Sequence, residues 1–200
     1  MDKRDFIKTS IASLGLLFIP KSAWPLEYYP TTENKEWAIL YSTWCGSARD
    51  ASVWISEGMN GIANVFDVRE NPDLSEYKYL IVGGAIRNGE TSKELQAYLS
   101  KHKDSFKNKI KGLFAVCGNM RQPVTTSQYT NFFDNHLIPL TRANKPLSRV
   151  FLGRITLNLM EPKIRQQMKS FPNMEDYDNL KRSECMDFGR EILNNFNANT

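Results

Sequence analysis

The loop Ser42–Ala48 (Ser-Thr-Trp-Cys-Gly-Ser-Ala) combines hydroxyl groups with a glycine and leads from an apolar run directly into a segment of helical period. Such a loop directs several backbone N–H groups and the positive end of a helix dipole at one point, which suits a terminal phosphate. The loop has neither the Gly-Lys-Ser/Thr of a Walker motif nor the spacing G-x-G-x-x-G. A simple turn with a helix cap is therefore the alternative interpretation.

Two further loops follow apolar runs and contain glycine. The first is Gly84–Gly89 (Gly-Ala-Ile-Arg-Asn-Gly), and the second begins at Cys117-Gly118-Asn119. Arg87 offers a cation in the first of them, with an ordinary solvent-facing arginine as the alternative. Cys117 fits a buried small residue better than a redox thiol, because nothing in its neighbourhood favours a thiolate.

The elements that would position these loops alternate along the chain between short apolar runs and stretches of helical period. This alternation is typical of βαβ units with a parallel sheet, whose strands place their following loops at one edge. We predict five strands, which are Trp37–Ser42, Asn64–Val68, Tyr79–Gly83, Gly112–Cys117 and Arg149–Gly153. The predicted helices are Ser47–Asn60, one that begins with a capping box at Thr91–Glu94, Thr126–Leu137 and Asp178–Phe196.

The segment Asn158–Asp176 interrupts this alternation. It contains Pro162 and Pro172 and mixes apolar with basic residues. An irregular excursion that closes the last crossover is one interpretation. The others are a lid, a partner surface, or a membrane-surface contact through residues 158–171.

The loops resemble those of the flavodoxin family, most closely the subgroup typified by menaquinone-dependent protoporphyrinogen dehydrogenase. In that subgroup the first loop reads Ser-Thr-x-x-Gly-x-Thr, and the third strand ends in Gly-x-x-Ile-Arg-x-Gly. The chain has Ser42-Thr43-x-x-Gly46-x-Ala48, and Gly83 to Gly89 carries the second pattern. The resemblance runs from about residue 37 to residue 192. It implies an α/β three-layer sandwich with a five-stranded parallel sheet in the order 2-1-3-4-5, helices on both faces, and bound flavin mononucleotide (FMN).

Residue by residue, the resemblance implies three groups of contacts to FMN. The phosphate loop would be Thr43, Trp44, Cys45, Gly46, Ser47 and Ala48, where Ala48 replaces the last threonine of the pattern. One edge of the isoalloxazine would lie against Gly84, Ala85, Ile86, Arg87, Asn88 and Gly89. The other edge would face Cys117, Gly118 and Asn119. Arg87 would stabilise negative charge on the reduced ring and raise its potential.

Composition excludes several other classes of protein. The three cysteines are too few and too scattered for a disulfide framework or a zinc site, and the two histidines, expected at the surface, leave little material for a metal site. The net charge of +4 is too small for a nucleic-acid binder. No set of residues for hydrolysis can be assembled.

Residues 1–24 combine a charged start with a short apolar run that ends at Pro20, as export signals do. Lys3-Arg4 resembles a twin-arginine motif with its first arginine replaced, and an amphipathic N-terminal helix is the alternative. We predict a signal at 1–24, a linker at 25–36 and a flavodoxin-like domain at 37–197. The protein would be exported, to the periplasm or to the outer face of the cytoplasmic membrane.

Three functions remain open at this point. An FMN-dependent oxidoreductase would pass electrons or hydride between an unidentified small-molecule substrate and a quinone or another acceptor. A flavodoxin-type electron carrier would instead dock on a redox partner, but such carriers are typically acidic. Without residues 1–24, which hold four of the 26 basic and two of the 22 acidic residues, the chain is nearly neutral, and this favours the enzyme. The third function is binding by a flavodoxin-like scaffold that has lost FMN.

Overall fold

The computed structural model of the protein describes residues 27–28, 35–106, 108–118, 124–170 and 174–198. Within these ranges one sheet contains β1 (Glu27–Tyr28), β2 (Trp37–Ser42), β3 (Ala63–Asp67), β4 (Tyr79–Ala85), β5 (Ile110–Cys117) and β6 (Leu147–Leu152). The order is β1-β3-β2-β4-β5-β6, and every pair except β1 with β3 is parallel. Apart from β1 at one edge, this is the order 2-1-3-4-5, so the predicted fold class is confirmed.

Six α-helical segments and a small strand pair accompany the sheet in the described part of the chain. The helices are α1 (Ser47–Gly58), α2 (Lys93–Phe106), α3 (Thr126–Phe132), α4 (Ile138–Thr141), α5 (Pro162–Lys169) and α6 (Arg182–Asn197). The pair consists of β7 (Arg154–Ile155) and β8 (Tyr177–Asp178), which run antiparallel.

The central strand β2 is buried on both faces, as its unbroken apolar sequence predicts. Alternate residues point to opposite sides of a strand. Trp37, Ile39 and Tyr41 therefore join the apolar cluster under α1 and α6, whereas Ala38 and Leu40 join the cluster under α2 and α3. Two separate cores thus hold the sheet between two helical layers.

The last helix begins later than the sequence pattern indicates. We predict a helix over Asp178–Phe196, but α6 spans Arg182–Asn197 and Asp178 belongs to β8. The carboxylate of Asp178 accepts the N–H of Leu180 at 3.0 Å. Short polar side chains that bond backbone groups two residues on compete with the helical ladder, which accounts for the delayed start.

Another predicted helix differs from the structure at its end. The predicted helix Thr126–Leu137 ends as α3 at Phe132, continues through a π-helical turn at Phe133–Leu137, and ends with α4 at Thr141. A capping box precedes α3, in which the hydroxyl of Thr125 accepts the N–H of Gln128. This capping box is not among the features predicted from the sequence.

The predicted box at Thr91–Glu94 is displaced by one residue. The hydroxyl of Ser92, not that of Thr91, accepts a helical N–H, which Leu95 donates at 3.3 Å. Thr91 is instead engaged with His136, because its backbone N–H and its hydroxyl both lie 3.0 Å from the imidazole Nε2.

The N-terminal predictions fall largely outside this structure. Residues 1–24, the predicted export signal, lie outside the described residues. Within the predicted linker 25–36, Glu27–Tyr28 forms β1 and pairs with β3 at the sheet edge. Over the described ranges, no helix is both long enough and apolar enough to cross a membrane.

Helices α1 and α6 approach each other closely at two glycines. A Cβ on Gly58 would lie 2.1 Å from the carbonyl oxygen of Met186, and one on Gly189 would lie 2.2 Å from that of Ile55. Both obstacles are backbone atoms, which cannot rotate aside as a side chain would. Because α1 follows directly on the loop Ser42–Ala48, this contact also holds the loop in place.

We expect Gly189→Ala to lower the free energy of unfolding by roughly 1–3 kcal/mol, because the added methyl group overpacks the contact with α1. Helix propensity alone would act in the opposite direction by about 1 kcal/mol. Asn194→Ala, at an exposed position of the same helix, is the matched control and should be neutral or slightly stabilising. Urea unfolding followed by circular dichroism measures both, and a Gly189→Ala protein as stable as wild type would contradict the contact.

Candidate functional site

Three loops meet at one edge of the sheet because the parallel strands before them end at the same level. Ser42 at the end of β2 lies opposite Gly84 in β4, and Ala85 lies opposite Val116 in β5. A cleft of about 730 Å³ opens at this edge. Its walls include seven residues from the three predicted loops, namely Trp44, Cys45, Ser47, Ile86, Arg87, Asn88 and Gly118.

The first loop turns sharply into α1. Gly46 has a φ of +84°, a left-handed conformation that favours glycine, and its N–H donates to the hydroxyl of Thr43 at 3.0 Å. The first bond of the helix is donated by Asp50 to the carbonyl of Gly46 at 3.0 Å. The N–H groups of Ser47 and Ala48 precede that bond and have no carbonyl partner within the helix, which is the condition for binding an anion at a helix start.

The side chains of this loop divide between the cleft and the core. Trp44 is 41% exposed and lines the cleft together with Cys45 and Ser47. Ala48, the departure from the family pattern, is fully buried in the cluster under α1 and α6. Its carbonyl accepts a bond from the hydroxyl of Ser52 at 2.8 Å. The backbone N–H is therefore the group through which Ala48 can contribute to anion binding at this loop.

Burial raises the pKa of the Cys45 thiol. A hydrogen bond with the backbone of Thr156 and the positive charges of Arg154 and Arg87 act in the opposite direction on this pKa. The thiol is thus held in its protonated form and contacts the chain that follows β6. It has a packing role and no sign of a reactive thiolate.

The second loop is a tight turn. Arg87 and Glu90 exchange two backbone hydrogen bonds of 2.8 and 3.1 Å, and the residues between them, Asn88 and Gly89, have φ values of +53° and +85°. Positive φ at both central positions is typical of a type I′ turn, for which Asn-Gly is the preferred sequence. The turn presents the guanidinium of Arg87 over the indole of Trp44, with its Cζ 5.0 Å from the ring centroid.

Gly84 and Ala85 belong to β4 and not to this turn. A Cβ on Gly84 would lie 2.4 Å from the hydroxyl oxygen of Ser42, so only glycine fits beside that strand end. Ile86 then leaves the strand, and its N–H donates to the carbonyl of Val116 at 2.8 Å. The turn is thereby tied to β5 as well as to β4.

The third loop is described up to Gly118, and Asn119 lies outside the described residues. Cys117 is buried at the end of β5, and burial raises its pKa to about 11, which agrees with a packing role. Gly118 lines the cleft, and its carbonyl accepts a hydrogen bond from the hydroxyl of Tyr177. A Cβ on Gly118 would lie 2.8 Å from the carbonyl oxygen of Arg154, so the chain after β6 packs directly on this loop.

The rest of the cleft wall comes from a part of the chain to which the sequence assigned no definite structure. We call residues 154–170, together with Met174, the covering segment. It begins at β7, includes α5, and places six apolar side chains on the cleft, namely Ile155, Leu159, Met160, Ile164, Met168 and Met174. Among the alternatives left open for Asn158–Asp176, this position is that of a lid. The four-residue spacing of Ile164 and Met168 is the helical signal that could have identified it.

Arg154 joins the covering segment to the first loop. Its backbone N–H donates to the hydroxyl of Ser47 at 3.3 Å. Its guanidinium Nη2 lies 2.7 Å from Oδ2 of Asp50 in α1, and Nε lies 3.2 Å from Oδ2 of Asp178 in β8. The arginine side chain is only 21% exposed. No local sequence pattern predicts this cluster, because Arg154 lies more than a hundred residues after Ser47 and Asp50 in the chain.

The family described as flavodoxin domain matches residues 38–181, which include the strands and loops that form the cleft. The chain belongs to the flavodoxin-domain family.

Solved structures with the same fold are distant in sequence from this flavodoxin-domain protein. A WrbA-like flavodoxin from Agrobacterium tumefaciens has 11% identity and a TM-score of 0.53, over 84% of this chain and 100% of that one. A Fusobacterium nucleatum flavodoxin bound to FMN has 11% identity and a TM-score of 0.47, over 81% and 96%. A flavodiiron protein from Giardia intestinalis has 12% identity and a TM-score of 0.49, over 82% of this chain but 37% of that one. This chain thus spans little more than a third of the flavodiiron protein. No curated protein is a significant sequence match.

In this flavodoxin-domain protein, His136 supports the turn that carries Arg87. The imidazole Nε2 accepts the backbone N–H of Thr91 at 3.0 Å. A backbone N–H can only donate, so the bond requires the neutral imidazole with its proton on Nδ1. Both histidines of the chain are partly buried, contrary to the expectation of surface positions, and burial lowers the pKa of His136 and of His102.

The lowered pKa of His136 predicts a loss of stability in acid. The native protein binds this proton less readily than the unfolded chain does, so the stabilisation is complete above the unfolded pKa of about 6.5. It is lost as the pH falls from there through the lower native pKa. We expect His136→Gln, which keeps an acceptor for Thr91, to lose less unfolding free energy than wild type between about pH 7.5 and pH 5.

Urea unfolding at several pH values measures this difference. His102→Gln is the control, because burial also lowers the pKa of His102 but its ring stacks on Phe106, away from the turn. His102→Gln should remove only the contribution of His102, so the part of the acid sensitivity that depends on His136 should remain in this variant. A His136→Gln protein with the pH profile of wild type would contradict the role of this bond.

Proposed function

We propose that this protein binds FMN in the cleft and acts as an oxidoreductase that passes electrons or hydride between an organic substrate and a quinone or another acceptor. The observation that carries the proposal is the meeting of an anion-binding helix start with an apolar cleft large enough for a flavin. Family membership adds weight, since flavodoxin domains are FMN-binding folds by the resemblance stated above. The quinone acceptor rests on the resemblance to the protoporphyrinogen dehydrogenase-like subgroup.

The residues at the start of α1 suit the phosphate of FMN. The hydroxyl oxygens of Thr43 and Ser47 each accept a backbone N–H, from Gly46 and Arg154 respectively, which leaves both hydroxyl hydrogens free to donate. The helix start contributes the backbone N–H groups of Ser47 and Ala48, which have no carbonyl partner within the helix. Side-chain and backbone donors therefore converge where the family pattern places the phosphate.

The remaining predicted residues suit the ring of the flavin. Trp44, Ile86 and Arg87 form one side of the cleft, and Gly118 lies at the third loop. When bound, FMN would supply the redox chemistry. The chain would orient the ring, exclude water with the apolar face of the covering segment, and set the potential through the charge of Arg87.

Two features favour the enzyme over the other two functions. The covering segment adds an apolar wall beyond what the three loops form, which gives an organic substrate a surface to bind. An electron carrier binds no organic substrate and therefore does not need this additional wall. Ala48 was the reason to consider a scaffold without FMN, but its side chain belongs to the core, so the alanine removes no group from the cleft wall.

The first test is the visible spectrum of the full chain with added FMN after gel filtration. We expect a retained flavin band, and we expect Ser47→Glu to abolish it, because a carboxylate at the start of α1 repels the phosphate. Ser100→Glu places the same charge at an exposed position of α2 and should bind FMN as wild type does. A colourless wild-type protein would reject the FMN proposal and favour the binding scaffold.

Removal of Arg87 tests the redox role independently of binding. We expect Arg87→Gln to lower the midpoint potential of the bound flavin by some tens of millivolts, because a nearby cation stabilises the anionic reduced form. Arg87→Lys keeps the charge and should retain most of the potential. Equilibration with reference dyes measures the potentials of both variants. Equal potentials in wild type and Arg87→Gln would mean that Arg87 is a solvent-facing arginine with no effect on the flavin.

A further inference from the structure

We propose that Arg154 binds the phosphate of the flavin and makes the protein selective for FMN over riboflavin, an inference that rests on the FMN site proposed above. Arg154 follows β6 and lies outside the three loops that the family pattern uses. It lines the same cleft as Trp44, Cys45 and Ser47. The chain would therefore contribute a full positive charge at a site where the family pattern supplies hydroxyl and backbone donors.

The position of Arg154 is fixed by contact with the phosphate loop itself. Its N–H donates to the hydroxyl of Ser47, the first residue of α1, at 3.3 Å. Its guanidinium reaches Asp50 in the first turn of the same helix at 2.7 Å. An anion held by the N–H groups of Ser47 and Ala48 would thus lie within the reach of this side chain.

The charges around the guanidinium allow it to change partners. Asp50 has a second arginine, since Arg49 bonds its other oxygen, Oδ1, at 2.9 Å. The carboxylate therefore stays paired if Arg154 leaves Oδ2. Asp178, which is half exposed, lies 3.2 Å from Nε of Arg154, but at an angle that forms no hydrogen bond. The guanidinium accordingly keeps donor capacity for an incoming group.

A phosphate dianion at the start of α1 would be stabilised by such a charge. Without Arg154, the carboxylates of Asp50 and Asp178, which lie against its guanidinium, would add negative charge near the phosphate. Arginine presents a planar fork of N–H groups that matches two phosphate oxygens. If the Arg154 guanidinium exchanges one carboxylate oxygen for a phosphate oxygen, its charge offsets the repulsion between the carboxylates and the phosphate. It then also donates charge-assisted hydrogen bonds to the phosphate. Riboflavin has no phosphate and would gain nothing from this exchange.

The test compares the affinities for FMN and riboflavin by quenching of flavin fluorescence in titrations of the full chain. We expect Arg154→Gln to weaken FMN binding by about 10- to 100-fold, the range of a charge-assisted hydrogen bond, and to leave riboflavin binding unchanged. Arg182→Gln is the matched control, because it also removes an ion pair to α1, with Glu57 at 2.8 Å, but far from the helix start. It should alter neither affinity.

Asp50→Asn and the double variant Asp50→Asn/Arg154→Gln complete a double-mutant cycle. In the double variant neither charge of the ion pair is left without its partner, so a folding defect caused by an unpaired Asp50 carboxylate is avoided. We expect Asp50→Asn to bind FMN at least as tightly as wild type, and the double variant to remain about 10- to 100-fold weaker than Asp50→Asn. Equal FMN affinity in these two proteins would overturn the proposal, as would an equal loss of FMN and riboflavin affinity in Arg154→Gln. A wild-type protein that binds neither flavin would instead reject the FMN site itself.

Discussion

The parallel pairing of β2 with β4 sets the geometry on which the site depends. Ser42 and Gly84 lie opposite each other at the ends of these strands, and the absence of a side chain on Gly84 leaves room for the Ser42 hydroxyl. A shift of one residue would exchange the faces of a strand and move its loop away from its neighbour. With this register, the loop Ser42–Ala48 and the Arg87 turn leave the sheet side by side. This brings the guanidinium of Arg87 over the ring of Trp44 in a cation–π contact.

The helix start is held from the opposite direction. Gly58 and Gly189 let α1 lie against α6 at backbone distance, so α1 is fixed at its far end while the Gly46 turn fixes its beginning. Anion binding by backbone N–H groups depends on such preorganisation, because donors that must first be ordered lose free energy on binding. The packing of the two helices thus contributes to the site although neither glycine lies near it.

Much of this arrangement could be predicted from the sequence because local patterns determine it. The apolar runs of β2, β4 and β5 and the Asn-Gly turn each encode their structure within a few residues. The covering segment could not be predicted in the same way. Its position depends on β7 pairing with β8, on Arg154 pairing with Asp50, and on the bond from Tyr177 to Gly118, all of which join residues distant in the chain. The delayed start of α6 has the same origin, since Asp178 is held in β8.

Ala48 shows how a local pattern and the fold together determine a contact. Its spacing with Ala51 and Ile55 places it on the apolar face of α1, and the structure buries it there. A polar side chain on that face has to find its hydrogen bonds within the core, whereas alanine requires none. In the proposed FMN site, the phosphate would then depend on groups outside this face, and Ser47 would provide one of them. Arg154 reaches the same point because the covering segment begins beside Ser47, so the chain that closes the cleft also brings a positive charge to it.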